Sequence, residues 1–229
     1  MAESTESQDS GGPHRALPLT PGRYVDHIVW GAPDTDAAIE TLEDLTGVRA
    51  RIGSMPTHAD YPTRSASIGL GNGAFFEIYG PNPNYRGPEN FFHALLTGLT
   101  EPRLLTWFVR VDDLPAVLDH LAERGHDGRL MIDQWERTEA ASFRNAQITA
   151  LALDPAAPRI IEWNDRQGMD AKLGAELTLR RLRIASDDAA VGRVHDALGL
   201  DAATDIDLAP GATAFSVELQ GPGGPVTIT

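Results

Sequence analysis

The chain has no cysteine. Disulfides, thiolate nucleophiles and cysteine-bound zinc or iron–sulfur sites are therefore excluded, and any metal must sit on histidine, carboxylate and water. No apolar run approaches the ~20 residues that a bilayer-crossing helix needs. Positive charge is scarce: 19 Lys and Arg stand against 33 Asp and Glu, a formal net charge of −14. Nucleic-acid binding depends on Lys and Arg neutralising phosphates, so nucleic acid is not an expected partner. An anionic membrane surface is disfavoured by the same repulsion. The phosphate loop GxxxxGK[ST], the GxSxG elbow and HExxH are also missing.

What is present is ordinary for a globular protein. Hydrophobic residues make up 41% and charged residues 23% of 229 residues, enough for a real core. The opening MAESTESQDSGG is polar and acidic, without the apolar segment of a secretory leader. Residues 1–20 read as a disordered tail, and the expected compartment is cytoplasmic.

A repeat runs along the rest. YVDHIVWGAPDTDAAIETLEDLTGV (24–48), LLTWFVRVDDLPAVLDHLAERGHDG (104–128) and LTLRRLRIASDDAAVGRVHDALGLD (177–201) each open with a short apolar strand. Each then reaches an Asp suited to cap a helix: Asp34, Asp113 and Asp187. Apolar residues follow at helical spacing, and glycine ends each helix at Gly47, Gly125 and Gly199. Paired strands come next in the first two segments, around AFFEIYGPNP (74–83) and PRIIEWND (158–165). PENFFHALL (88–96) reads as a short connecting helix. The predicted class is α+β: two paired βαβββ units, 21–100 and 101–170, form a curved, cup-shaped mixed sheet with helices outside. A partial third βαββ unit, 171–229, has at most two strands after its helix. One such unit alone would leave a sheet face bare, and pairing two covers it.

Strand alternation predicts which side chains enter the cup. Val25, His27 and Val29 share one face of the first strand. Phe75, Glu77 and Tyr79 share one face of AFFEIYGP, as do Ile160, Glu162 and Asn164 of RIIEWND. A carboxylate in an apolar strand is costly unless it is paired or bound to a cation. His27, Glu77 and Glu162 at matching repeat positions suggest one divalent metal, with Fe, Mn, Ni, Co or Zn suited to imidazole plus carboxylates. Taken singly, His27 also fits a hydrogen-bonded core histidine, and each glutamate an ion pair with Arg64, Arg110 or Arg159. Thr106, Phe108 and Arg110 share the cup face of the second unit's first strand. Arg110 there could clamp an anionic substrate. His58 is a reserve ligand, and Trp135 a candidate for the cup mouth.

DHIVWGAPD, LGNGAFFEIYGPNP and RIIEWND resemble the vicinal oxygen chelate superfamily, and within it the glyoxalase-like domain group. The resemblance covers residues 24–229. It implies metal ligands from the first and last strands of each paired unit: His27 and Glu77 from the first, Glu162 from the second. One place departs from the pattern. Aligning Asp34 with Asp113 sets Thr106 where His27 stands, and threonine is a poor ligand for these metals. By resemblance to glyoxalase I, Glu162 would be the base that moves a proton beside a carbonyl, with a metal-stabilised enolate. Isomerisation, epimerisation or lysis is the leading expectation. An Fe(II)-dependent dioxygenase is a second reading, set back because that branch uses two histidines and one glutamate. Binding of a small molecule without catalysis, as in resistance proteins, is a third, favoured by Thr106. The expected partner is a small-molecule substrate, and edge-strand pairing between chains would give a homodimer.

Overall fold

The computed structural model describes residues 25–53, 61–137, 142–164, 173–200, 203 and 205–229, with backbone alone for 132–137. The expected tail, His58 and the Trp135 side chain lie outside the described residues. The first unit runs β1 (Val25–Gly31), α1 (Thr35–Thr46), β2 (Arg51–Ile52), β3 (Thr63–Gly71) and β4 (Ala74–Pro81). A short helix α2 (Phe91–Thr97) leads to the second: β5 (Arg103–Val111), α3 (Leu114–Ala122), β6 (Gly128–Arg137), β7 (Ser142–Ile148) and β8 (Arg159–Trp163). The third holds β9 (Thr178–Ser186), α4 (Ala189–Ala197), β10 (Ile206–Pro210), β11 (Ala214–Gly221) and β12 (Gly224–Ile228).

The first two units share one eight-stranded sheet, in the order β2-β3-β4-β1-β5-β8-β7-β6. Its two halves meet where β1 pairs antiparallel with β5. Each half repeats the other: the first strand pairs parallel with the last, β1 with β4 and β5 with β8. This is the paired βαβββ arrangement, with an open, curved sheet.

Helix starts follow the predicted caps. Asp34 accepts from the amides of Asp36 and Ala37, and Asp113 from that of Ala116. The third helix departs by one residue: Asp188, not Asp187, accepts from Ala190 N. Helix α1 ends at Gly47 with φ 76°, a left-handed turn that suits glycine.

Two apolar clusters show the faces of the sheet. Ile28, Trp30, Phe76, Ile78, Trp107 and Ile160 are buried on the helix side, with Ile39, Leu42, Leu114, Val117 and Leu121. Val29, Phe108 and Ile161 form a smaller cluster on the concave side, with Tyr79, Leu105, Phe143 and Trp163 around it. Val25 joins the helix-side core, not the face of His27. The cause is a register shift between Val25 and His27, where β1 carries one residue more than β5.

The third unit carries one strand more than the sequence reading gave it. IDLAP pairs parallel with β9. It is short, and Asp207 and Pro210 interrupt its apolar pattern, so it lacks the alternation of a strand. Its four-stranded sheet, β10-β9-β11-β12, docks on the larger one. Leu177 N donates to Gly69 O at 3.1 Å. His195, buried, donates from Nε2 to Ala156 O at 3.0 Å and meets Trp107 edge-on. It is therefore part of the core. Burial lowers its pKa, so the neutral ring is favoured. Glu218 pairs with Arg183 at 2.8 Å, a surface ion pair.

Gly69 marks the closest approach of these parts: a Cβ there would overlap the carbonyl of Gly174. Gly69→Ala is expected to cost about 1–3 kcal/mol, the usual penalty of overpacking. Urea unfolding checks this; an unchanged midpoint would show that the junction yields freely.

Candidate functional site

The concave face encloses a cavity of about 1380 Å³. Strands β1, β4, β5, β7 and β8 supply its floor, and α2 one wall through Phe91, Phe92, Leu95 and Leu96. The lining is largely aromatic and aliphatic, with a few polar groups, the usual character of a small-molecule site.

His27 and Glu77 both reach it. His27 Nε2 lies 3.8 Å from Glu77 Oε2. The imidazole is buried and stacked between Phe75, at 4.6 Å between ring centroids, and Phe108, at 4.0 Å. Its Nδ1 donates to Asp26 Oδ1 at 2.7 Å, which leaves Nε2 to face the cavity. Burial pushes the Glu77 carboxyl above its ordinary range. The His27 charge and a hydrogen bond from Ser65 pull it down, and Asp26 adds to the rise.

Asp26 has no solvent exposure. Its Oδ2 accepts from Arg110 Nε at 2.7 Å and from Trp163 Nε1 at 3.1 Å. Sequence reading passed over Asp26, because plain alternation sends it to the helix side. The shift in register beside it brings it to His27 instead. The signal was the D-H pair itself: an acid and its neighbour in one apolar strand.

The other predicted residues divide. Phe75, Tyr79, Thr106 and Phe108 line the cavity, as expected. Arg110 does not clamp a ligand: it is buried under the floor, held by Asp26 and by Gly73 O at 2.7 Å. Glu162 does not meet His27 and Glu77. Its Oε2 accepts from Leu114 N at 2.9 Å, at the start of α3, and from Arg144 Nη2 at 2.7 Å. Asn164 is exposed and outside the cavity lining. Ile161 and Trp163, the alternate residues of the strand, face the cup instead.

The reason is a phase error in the last strand of the second unit. IIEW resembles FFEI, but the ladders align differently. Val29 pairs with Glu77, and Phe108, the counterpart of Val29 across the β1–β5 junction, pairs with Arg159. Arg159, not Glu162, therefore stands where Glu77 stands. The long connection between β7 and β8 moves the strand by three residues relative to the hairpin of β3 and β4. The four corresponding positions are His27, Glu77, Thr106 and Arg159, and all four line the cavity.

A glyoxalase-like domain model matches residues 25–198. The chain belongs to the glyoxalase-like domain family. No curated protein matches this member in sequence. A hypothetical protein from Staphylococcus aureus of known structure shares the fold: TM-score 0.57, 15% identity, 89% of this chain and 83% of that one covered. Methylmalonyl-CoA epimerase from Mycobacterium tuberculosis is similar over 69% of this chain and 95% of its own, at TM-score 0.46 and 20% identity. A Streptomyces coelicolor methylmalonyl-CoA epimerase variant with 2-nitronate-propionyl-CoA is similar at TM-score 0.46 and 14% identity, covering 64% of this chain and 96% of that chain.

The metal that the family resemblance implies needs acceptor atoms at these positions. His27 and Glu77 offer two. Thr106 is a weak third, and Arg159 puts a cation without an acceptor at the fourth. Among the described residues no group of three His, Asp or Glu side chains can hold an ion. The described donor set therefore does not fit the four-ligand centre.

A buried carboxyl with a raised pKa penalises folding once it ionises. The folded state holds its proton to higher pH than the unfolded chain does, so stability falls as pH rises through that interval. Glu77→Gln removes the charge and is expected to raise Tm at neutral pH. That gain should shrink as pH drops into the ordinary glutamate range. Thermal unfolding of both proteins across pH checks this; an equal or lower Tm for the variant at neutral pH contradicts it.

Proposed function

We propose that this protein moves a proton on a carbon next to a carbonyl, an isomerase or epimerase reaction on a small molecule held in the cup. One observation carries this reading. A carboxylate in an apolar cavity, Glu77, lies 3.8 Å from an imidazole whose other nitrogen is fixed by a buried acid. General acid–base chemistry requires such a pair, and burial brings a carboxyl toward the operating pH.

In this proposal the Glu77 carboxylate takes the proton from the substrate carbon. The C–H electron pair moves into the carbonyl and gives an enolate. The Thr106 hydroxyl, on the same cavity wall, donates a hydrogen bond to the enolate oxygen. His27 Nε2 is the second atom able to hold a proton. The proton taken by Glu77 passes to His27 Nε2, 3.8 Å away, and returns from either group to the enolate, at another atom or after the enolate turns over in the cup, which gives isomerisation or epimerisation. Asp26 fixes the tautomer and orientation of His27, and Phe75 and Phe108 restrict its rotation. The apolar lining keeps bulk water from quenching the enolate.

Thr106 and Arg159 favour a second reading, binding without turnover, because neither supplies a base or a metal ligand. Deuterium exchange separates the two. Carbonyl compounds are incubated with the protein in D2O and their α-carbon signals followed by NMR. The proposal expects exchange above the buffer rate, reduced about 100-fold or more in Glu77→Gln. A compound that binds in the cup and never exchanges supports the binding reading against the catalytic one.

A further inference from the structure

Arg159 is a half-buried cavity-lining charge that the proposed reaction does not use. It opens β8. Four side chains form one row across the sheet: Phe75 on β4, His27 on β1, Phe108 on β5 and Arg159 on β8. The guanidinium carbon lies 6.0 Å from the Phe108 ring centroid and 5.4 Å from that of Phe92 on α2. Among the described residues Arg159 has no ion pair and no hydrogen bond; its contacts are those two rings and the field of Tyr79. Burial lowers its pKa, the mark of a charge that has lost water without gaining a counter-ion.

An unpaired guanidinium beside an apolar cavity is costly, and protein of net charge −14 has carboxylates to spare for pairing it. Of the other arginines near the cup, Arg110 is engaged by Asp26, Arg51 by Glu176 and Arg144 by Glu162, while Arg103 also lines the cavity but is exposed, where water solvates its charge. The five N–H groups of Arg159 are thus left for a ligand, and a guanidinium suits a carboxylate bidentately. A second polar atom asks for a donor elsewhere on the ligand, because an amide oxygen accepts and does not bind a carboxylate. Asn145 lines the cavity from β7, paired with Ile161, and its Oδ1 is buried with no hydrogen-bond partner.

We infer that the cup takes an organic carboxylate with an apolar body: its carboxylate sits on Arg159, and its body lies over Phe108 toward His27 and Glu77. Two strand spacings separate Arg159 from His27 along the row, about 10 Å. The ligand is therefore extended, with its anionic end remote from the acid–base pair. The inference concerns binding and stands apart from the proposed reaction, so either can fail alone.

The test compares 3-(2-naphthyl)propanoate with its primary amide by isothermal titration calorimetry. The acid is expected to bind wild type about tenfold or more tighter than the amide. Added salt should narrow the gap, Arg159→Gln should abolish it, and Arg159→Lys should keep part of it. Without ligand, Arg159→Gln is expected to keep or raise the Tm, because it removes an unpaired charge. Equal affinity for acid and amide in wild type overturns the inference, as does failure of both to bind. A preference that survives in Arg159→Gln overturns it too. A marked loss of Tm in Arg159→Gln would assign the residue to the fold; the acid-to-amide ratio of wild type and Arg159→Lys then decides.

Discussion

Asp26 accepts from three donors carried by three strands: His27 on β1, Arg110 on β5 and Trp163 on β8. A carboxylate with no solvent exposure is tolerable only with such partners, and each donor is in turn held in place. The cluster ties the last strand of the second unit to the first strand of the first, across the junction of the two halves. It sets the tautomer of His27 and leaves Nε2 toward Glu77. Arg110 neutralises Asp26 beneath the floor, so the charge of the dyad does not itself fill the cavity. Removing the carboxylate would take the buried Arg110 guanidinium's counter-ion away, a loss in the range of about 3–5 kcal/mol.

The two halves share a backbone and differ in chemistry. Duplication places four side chains at corresponding positions, and in this chain they are His27, Glu77, Thr106 and Arg159. The first unit contributes an acid–base pair, while the second contributes a hydroxyl and a cation. That division makes one side of the cup suited to proton movement and the other to holding negative charge. Arg159 also opposes a divalent ion between the halves, since two cations would share one apolar space.

Much of the architecture was legible because its signals are local. Asp34 and Asp113 before apolar runs, and Gly47 after one, mark helices whatever the tertiary context. The cup faces of His27, Glu77 and Thr106 followed from alternation in strands without interruption on the relevant side. The errors arose where the period of two broke. One extra residue beside Val25 moved Val25 to the core and brought Asp26 to His27. In β8, likeness of IIEW to FFEI favoured Glu162, yet ladder register is fixed by pairing with β5 and β7, not by residue type. Glu162 is half-buried for another reason: it caps α3 and pairs with Arg144. β10 escaped notice because its five residues carry too little pattern.

Metal content tests the central claim most directly: that a guanidinium, not a metal ligand, stands at the fourth corresponding position. Protein purified without chelator would be analysed by plasma mass spectrometry, beside His27→Ala. The account predicts well under one equivalent of any divalent metal in both. One equivalent in the wild type, lost in His27→Ala, would contradict it.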